Sequence, residues 1–455
     1  MNKIELLQER KRNILGMSAE VRKEVSALID AESFVELSAF NFSKSELYEE
    51  NGAGEGVITG FATIENTPVY IVAQNVKETF GGISKANCEK IVKCLEMAEK
   101  NGVPVVYVLN TRGVQIGEGV TVLEGLSKWL IKAVQLKGIV PQYVVVNGEV
   151  YGSVSALSAI ADFTFFIKNK SVLALNSPFV LSAKAGKNLS KEEVGGAQAL
   201  DKTGVVAFET ETMEEVREKL AKIFDLLAMP IVDAELNDAV TELNEEVSAE
   251  NVLNVFETSL EIGAEYEKEV KTILGRIGGI AVASILFDGG ENGVELNMSK
   301  MSKIKSFVEF ASSYGLPLVI FADVKGIAPC MSVNNSLFMK AMGAYLSVLD
   351  SADIPKISVV YKKAIGVGYS LFAAKSLGLD YTCAFANAKI SLFDGLQGAK
   401  IEWSGEKADD VVLAQKYADE NADPIHAAKD GYIDAIIEPQ FVKQYLISAL
   451  QMCMR

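Results

Sequence analysis

The sequence predicts a layered α/β fold made of two tandem copies of one domain. Three observations carry the prediction. Residues 89–114 (EKIVKCLEMAEKNGVPVVYVLNTRGV) match residues 302–327 (SKIKSFVEFASSYGLPLVIFADVKGI): Lys90 meets Lys303, Ile91 meets Ile304, Gly102 meets Gly315, Pro104 meets Pro317 and Gly113 meets Gly326. One residue out of step, the match resumes, with Pro141 against Pro355 and Gly152 against Gly366. Apolar runs of strand length alternate with helical patterns in both halves, which means parallel strands layered with helices. A repeat of this kind sets the whole fold.

In chain order, residues 1–30 read as one amphipathic helix. Gly56–Asn75 reads as a hairpin turning at Glu65-Asn66, from its alternation of β-branched and aromatic residues. A helix is expected over 85–101, a buried strand at Val103–Leu109, a helix over 121–138 and a strand at Gln142–Val146. Continuous Val/Ile/Leu runs mark strands covered on both faces. A helix over 211–228 closes the first domain, residues 1–235. Residues 236–265 are acidic and polar and read as a linker with short helices. The second domain, residues 266–455, restarts at Lys271 with a hairpin turning at Gly278-Gly279, and a helix is expected over 336–349.

Composition removes several classes of function. With 60 acidic and 44 basic residues the formal net charge is −16, which argues against nucleic acid as a partner. The N-terminus has no apolar core behind its charges, so it does not read as a signal peptide. No apolar run reaches the roughly 18 residues of a membrane span. Five cysteines without a C-x-x-C pair read as reduced thiols, which points to the cytoplasm, and no metal site is expected.

The chemistry is sought in the glycine turns. Gly113 and Gly326 each end a buried strand; Gly152 and Gly366 each end the next strand and open a helix. Glycine serves where the backbone must approach a ligand or take a positive φ. A helix start offers unpaired N–H groups. Two such turns from adjacent strands can aim two backbone amides at one oxygen, an oxyanion hole for a thioester or carboxyl carbonyl. That device needs no catalytic side chain, which suits a chain with one histidine. Any single glycine is explained as a strand end; the duplicated pair points to function.

These residues resemble the biotin-dependent acyl-CoA carboxyltransferases, the carboxyltransferase subunits of acetyl-, propionyl- and methylcrotonyl-CoA carboxylases and of sodium-pumping acyl-CoA decarboxylases. The likeness runs from about Asp30 to Pro439. The family's Gly-Gly-Ala-Arg-Ile-Gln-Glu-Gly-Val stands here as Arg112–Val120, and its Asp-Val-Pro-Gly-Phe as Asp323–Ile327. Its Lys-Ala-Tyr-Gly-Gly-Ala-Tyr stands as Lys363–Tyr369, with Phe80–Ser84 like its CoA-side loop and Gly431–Pro439 like its ending. The resemblance implies two crotonase-like domains, the first for acyl-CoA and the second for carboxybiotin on a separate carrier chain. Carried over, Gly152 and Ser153 supply the acyl-CoA hole, while Ile327, Val367 and Gly368 supply the biotin hole. Gly113 and Val114 with Phe80, Gly81 and Gly82 line the CoA side, and Gly326 and Gly366 line the biotin side. The implied partners are a biotin carboxyl carrier subunit and a biotin carboxylase or membrane decarboxylase subunit; the implied assembly is a homodimer or trimer of dimers.

Four departures from the family pattern, at Gln115, Ser153, Leu200 and Val367, support a second reading: a catalytically eroded scaffold or regulatory homologue. A third is a crotonase-like hydrolase using Ser153 as nucleophile, for which the sole histidine, His426, is the one available base. His426 opens a helix without an obvious partner and is assigned a structural role. Met339-Lys340-Ala341-Met342 imitates a biotinyl site within a helical stretch. Lys85, Lys90 and Lys93 read as a solvated helix face.

Overall fold

The computed structural model describes residues 2–41, 54–77, 81–228, 243, 247–327, 330–334, 336–405 and 409–454. The chain divides into two compact units, residues 1–224 and 225–455.

The first unit is built on one sheet. Its strands are β1 (Val35–Leu37), β2 (Val57–Ile64), β3 (Thr67–Gln74), β4 (Val105–Thr111), β5 (Gln142–Tyr151), β6 (Phe163–Ile167), β7 (Val172–Ala174) and β8 (Phe208–Thr210). They pair in the order β1-β2-β3-β4-β5-β6-β8, with β7 added to the far end of β5. β1, β2 and β3 are antiparallel and the rest parallel. Helices Lys85–Asn101 and Val120–Leu136 form the crossovers on either side of β4. Ile91, Leu95, Leu126, Trp129 and Ala133 of those helices share one core with Tyr107 and Val144 of the sheet. Each of the buried Ile, Leu and Val side chains contributes roughly 1.5–3 kcal/mol on burial.

The second unit repeats the plan. Its strands are β9 (Thr258–Ile262), β10 (Val270–Ile277), β11 (Ile280–Phe287), β12 (Val294–Leu296), β13 (Leu318–Ile327), β14 (Lys356–Ile365), β15 (Tyr381–Phe385), β16 (Lys389–Ser391) and β17 (Ala435–Ile437). The order is β9-β10-β11-β13-β14-β15-β17, with β12 on β13 and β16 on β14. Even the small additions correspond: Leu296 pairs with Ile327 where the first unit has the single bridge Ile83 to Val114.

Both hairpins turn where the sequence puts them, with positive φ at Glu65 and Asn66 and at Gly278 and Gly279. A carboxylate caps each turn. Asp30 accepts the Glu65 and Asn66 amides at 3.0 and 2.9 Å, and Arg217 pairs with it at 2.7 Å. Glu257 accepts the Gly278 amide at 2.9 Å and pairs with Lys443 at 2.6 Å.

Three elements differ from the sequence reading. The N-terminal helix is two helices, Lys3–Met17 and Ala19–Leu28, parted where Ser18 leaves helical angles at φ −104° and ψ 11°, its hydroxyl bonded back to the Ile14 carbonyl. The strand expected to end at Val146 runs to Tyr151; its register against β4 shifts at Asn110, whose side chain bonds the Asn147 carbonyl and the Glu149 amide. Within the acidic segment, residues 236–242 and 244–246 lie outside the described residues, but Ala249–Val252 is a helical turn and Thr258–Ile262 is the edge strand β9. Acidic residues flanking that short strand conceal its alternation.

Candidate functional site

In the first unit, β4 ends at Gly113, with φ +112°, and β5 ends at Gly152, with φ +84°. A β-carbon on Gly113 would stand 3.9 Å from the Tyr151 carbonyl oxygen, so the two turns abut. The space around Gly152 is open: a β-carbon there would meet nothing within 4 Å. The Gly152 amide, expected as a hole donor, instead donates to the Ala174 carbonyl at 3.2 Å, because β7 pairs with this end of β5. The amide left toward solvent is that of exposed Ser153, at the start of the turn Ser153–Ala156. Val114 provides the second. The bridge beside it uses the Gly113 carbonyl and the Gln115 amide, both bonded to Ile83 at 2.9 Å, so the Val114 amide takes no part in it.

The loop from Gly81 to Ser84 is fastened to this turn. Gly81 has φ +66°, and a β-carbon on it would lie 2.2 Å from the Asn110 carbonyl oxygen, so only glycine fits. The Gln115 side chain donates to the Gly82 carbonyl at 3.3 Å, and Glu118 accepts the Lys85 amide at 2.7 Å. Gly81, Gly82, Gly113, Val114, Gly152 and Ser153 therefore gather at one edge; Phe80 lies outside the described residues. Gln115, a departure from the family motif, is here a loop tether.

The second unit shows the same arrangement. Gly326 has φ +126° and Gly366 φ +52°, and a β-carbon on Gly326 would stand 3.8 Å from the Ile365 carbonyl oxygen. The Gly366 amide donates to the Ser391 carbonyl at 2.9 Å, as Gly152 does to Ala174. Val367 and Gly368 open the helix Val367–Phe372. Gly368 packs so tightly that a β-carbon would lie 2.8 Å from the Val324 backbone oxygen, while neighbouring Val367 is only half-buried. Ile327, on the strand end paired to Leu296, is also half-buried.

Sequence reasoning passed over the charged groups beneath this second turn. Asp323 is fully buried, and neither carboxylate oxygen meets a donor at hydrogen-bonding geometry among the described residues. Burial pushes its pKa up to about 6; Lys362, Lys363 and the Gly289 amide pull against that rise and Asp288 adds to it. Lys362 and Lys363 donate to the Gly290 and Glu291 carbonyls at 2.9 and 2.6 Å, holding the loop 288–293. The motif Asp323–Ile327 was the available signal, but its burial could not be read from it. Lys90, expected on a solvated face, is buried and donates to the Val57 carbonyl at 2.7 Å. Its repeat partner Lys303 donates to the Gly263 and Tyr266 carbonyls at 2.8 and 2.6 Å. Burial lowers both pKa values to about 8.

No base is hydrogen-bonded to the Ser153 hydroxyl among the described residues, and His426 is exposed in the second unit. No group of three or more His, Cys, Asp or Glu able to hold a metal occurs among the described residues. Backbone amides without a partner beside an open turn can donate to a ligand oxygen.

The fold matches solved structures. A transcarboxylase 12S structure, a hexameric core solved with methylmalonyl-coenzyme A and methylmalonic acid bound, superposes with TM-score 0.91 at 24% identity, covering 99% of this chain and 95% of that one. The architecture is thus two crotonase-like domains in tandem. The methylmalonyl-CoA decarboxylase subunit alpha of Veillonella parvula is 28% identical over 99% of this chain and 95% of its own length. The carboxyltransferase subunit of propionyl-CoA carboxylase from Haloferax mediterranei is 27% identical, covering 95% of this chain and 89% of its own length. The family model described as the carboxyl transferase domain matches residues 18–455, and the chain belongs to that family.

Proposed function

We propose that this chain is the carboxyltransferase subunit of a biotin-dependent acyl-CoA carboxylase or decarboxylase, and that its two glycine turns are the two halves of the chemistry. The carrying observation is the duplicated turn: Gly113 against Tyr151 and Gly326 against Ile365, each beside a helix start with outward amides.

In the first unit the Val114 and Ser153 amides hold the thioester oxygen of a short acyl-CoA as it becomes an enolate, with Gly81, Gly82 and Gly113 lining the approach. Backbone donors fixed before reaction are worth about 10²–10³ in rate each. In the second unit the Ile327, Val367 and Gly368 amides hold the ureido oxygen of biotin borne on a separate carrier chain, with Gly326 and Gly366 shaping the turn. Biotin supplies the N1 that accepts and releases the carboxyl group. Relatives named as propionyl-CoA carboxylase and methylmalonyl-CoA decarboxylase subunits support a short acyl group and a biotin carrier subunit as partner. The family resemblance also implies a biotin carboxylase or a membrane decarboxylase subunit beside it. Exposed Ile116 and Val120, which follow the first turn in the chain, favour a second copy of the chain against it, in a homodimer or trimer of dimers. Among the described residues no helix is long and apolar enough to cross a membrane; the cytoplasmic location rests on the reduced-thiol reading of the five cysteines.

Two substitutions at Ser153 test the reading. Ser153→Ala keeps the amide and is expected to leave turnover of methylmalonyl-CoA unchanged; a lost activity would favour the hydrolase. Ser153→Pro removes the N–H at a position where proline is tolerated, and is expected to lower turnover about 10²-fold or more. Full activity in the proline variant would overturn the amide assignment.

A further inference from the structure

A cavity of about 250 Å³ opens in the second unit between the helix Asp410–Asn421 and the ends of β13, β14 and β16. Its lining has two chemistries. Ile365, Phe393 and Ala418 present apolar surface, and Lys325, Lys363 and Lys389 present ammonium groups, with Asp394 as the single carboxylate. In a chain of formal net charge −16, three lysines line this one small cavity.

The lysines are incompletely paired. Lys325 Nζ stands 3.5 Å from Asp394 and 3.7 Å from Glu295, longer than a charge-assisted hydrogen bond. Lys363 is satisfied by the Glu291 carbonyl at 2.6 Å, and a β-carbon on Gly293 would lie 3.1 Å from both its stem and the buried Asp323 carboxylate. The exposed side chain of Lys389 has no ion pair or hydrogen bond among the described residues. Burial holds Lys363 below its usual pKa; Lys389 and Lys325 add to that, while Asp323 and Asp394 oppose it. An anion placed among these groups relieves their mutual repulsion.

We infer that this cavity binds a short-chain carboxylate, its carboxylate group on Lys389 and Lys325 and its hydrocarbon part against Ile365, Phe393 and Ala418. A bare phosphate satisfies the lysines but leaves the apolar wall facing water. The volume suits a ligand of a few heavy atoms, below the usual range for drug-sized ligands. The site also touches the biotin-side turn: Ser391 lines the cavity, and its carbonyl accepts the Gly366 amide at 2.9 Å. The inference does not depend on which reaction the turns serve.

Calorimetric titration of the full-length protein with propionate, with inorganic phosphate as the comparison, tests it. Saturable propionate binding, tighter than phosphate and weakened by added salt, is expected. Lys389→Glu should weaken it by about tenfold or more, Lys389→Arg should retain it, and Ala418→Phe should block it by filling the apolar wall. Circular dichroism checks that each variant is folded. Absent propionate binding, phosphate binding as tightly as propionate, or a folded Lys389→Glu protein that binds as before would each overturn the assignment.

Discussion

A β-carbon on Gly326 would stand 3.8 Å from the carbonyl oxygen of Ile365, and one on Gly113 would stand 3.9 Å from that of Tyr151. The same close approach of two strand ends occurs once in each unit. In both, the second glycine gives its own amide to a short added strand, β7 or β16, and leaves the next amide outward. The added strand thus fixes which amide is available, a role the glycine spacing alone does not reveal.

Gly81 should be intolerant of any side chain. Its φ is +66° and a β-carbon would lie 2.2 Å from the Asn110 carbonyl oxygen. Gly81→Ala is expected to move the loop carrying Gly82 and to weaken acyl-CoA binding at least tenfold, roughly 1.4 kcal/mol. Calorimetry with CoA measures it; unchanged affinity would separate this loop from the CoA side.

Asp323 should make stability depend on pH in the acid range. Its pKa rises from 3.8 unfolded to about 6 folded, so the folded state binds more protons in that window. Stability therefore falls as pH rises from about 4 to 6, and the loss persists above it. The displacement corresponds to roughly 3 kcal/mol against the ionised fold at neutral pH. Asp323→Asn is expected to be more stable than the parent at pH 7.5 and about equal near pH 4, read from urea unfolding. An asparagine variant less stable at pH 7.5 would show that the ionised carboxylate is bound by something stronger than the residues around it.

Asp30 holds a turn that cannot hold itself. Glu65 and Asn66 both take positive φ, and Asp30 accepts both of their amides as well as the Thr63 hydroxyl at 2.6 Å. Asp30→Ala is expected to destabilise the protein by about 1–3 kcal/mol, seen as a lower urea midpoint. Asp30→Asn, which keeps an acceptor but loses the Arg217 ion pair, should fall between. An unchanged midpoint for the alanine variant would leave the turn to its backbone alone.

The repeat, the hairpins and the two crossover helices were legible because each has a local pattern: matched Gly and Pro positions, β-branched alternation, and helical spacing. The helix read over 85–101 is Lys85–Asn101 in the structure. What escaped were relationships between distant segments. Asp30 and Glu257 give no sequence sign of capping turns far along the chain. Lys90 looks like a surface lysine because its partner is a backbone carbonyl, which has no sequence signature. Gly152 was read as a donor because β7, only three residues long, is too short to predict. Gln115 and Val367 depart from the family motif, yet Gln115 tethers Gly82 through its side chain and Val367 keeps its backbone amide at a helix start.

The most direct test of the whole account is the decarboxylation of methylmalonyl-CoA and malonyl-CoA by the purified chain, with and without free biotin as carboxyl acceptor. Turnover that requires both the acyl-CoA and biotin is predicted, because the proposed reaction uses one oxyanion site in each unit. A folded protein that shows no biotin-dependent turnover and fails to bind CoA would contradict it and leave the chain as a scaffold homologue of a working carboxyltransferase.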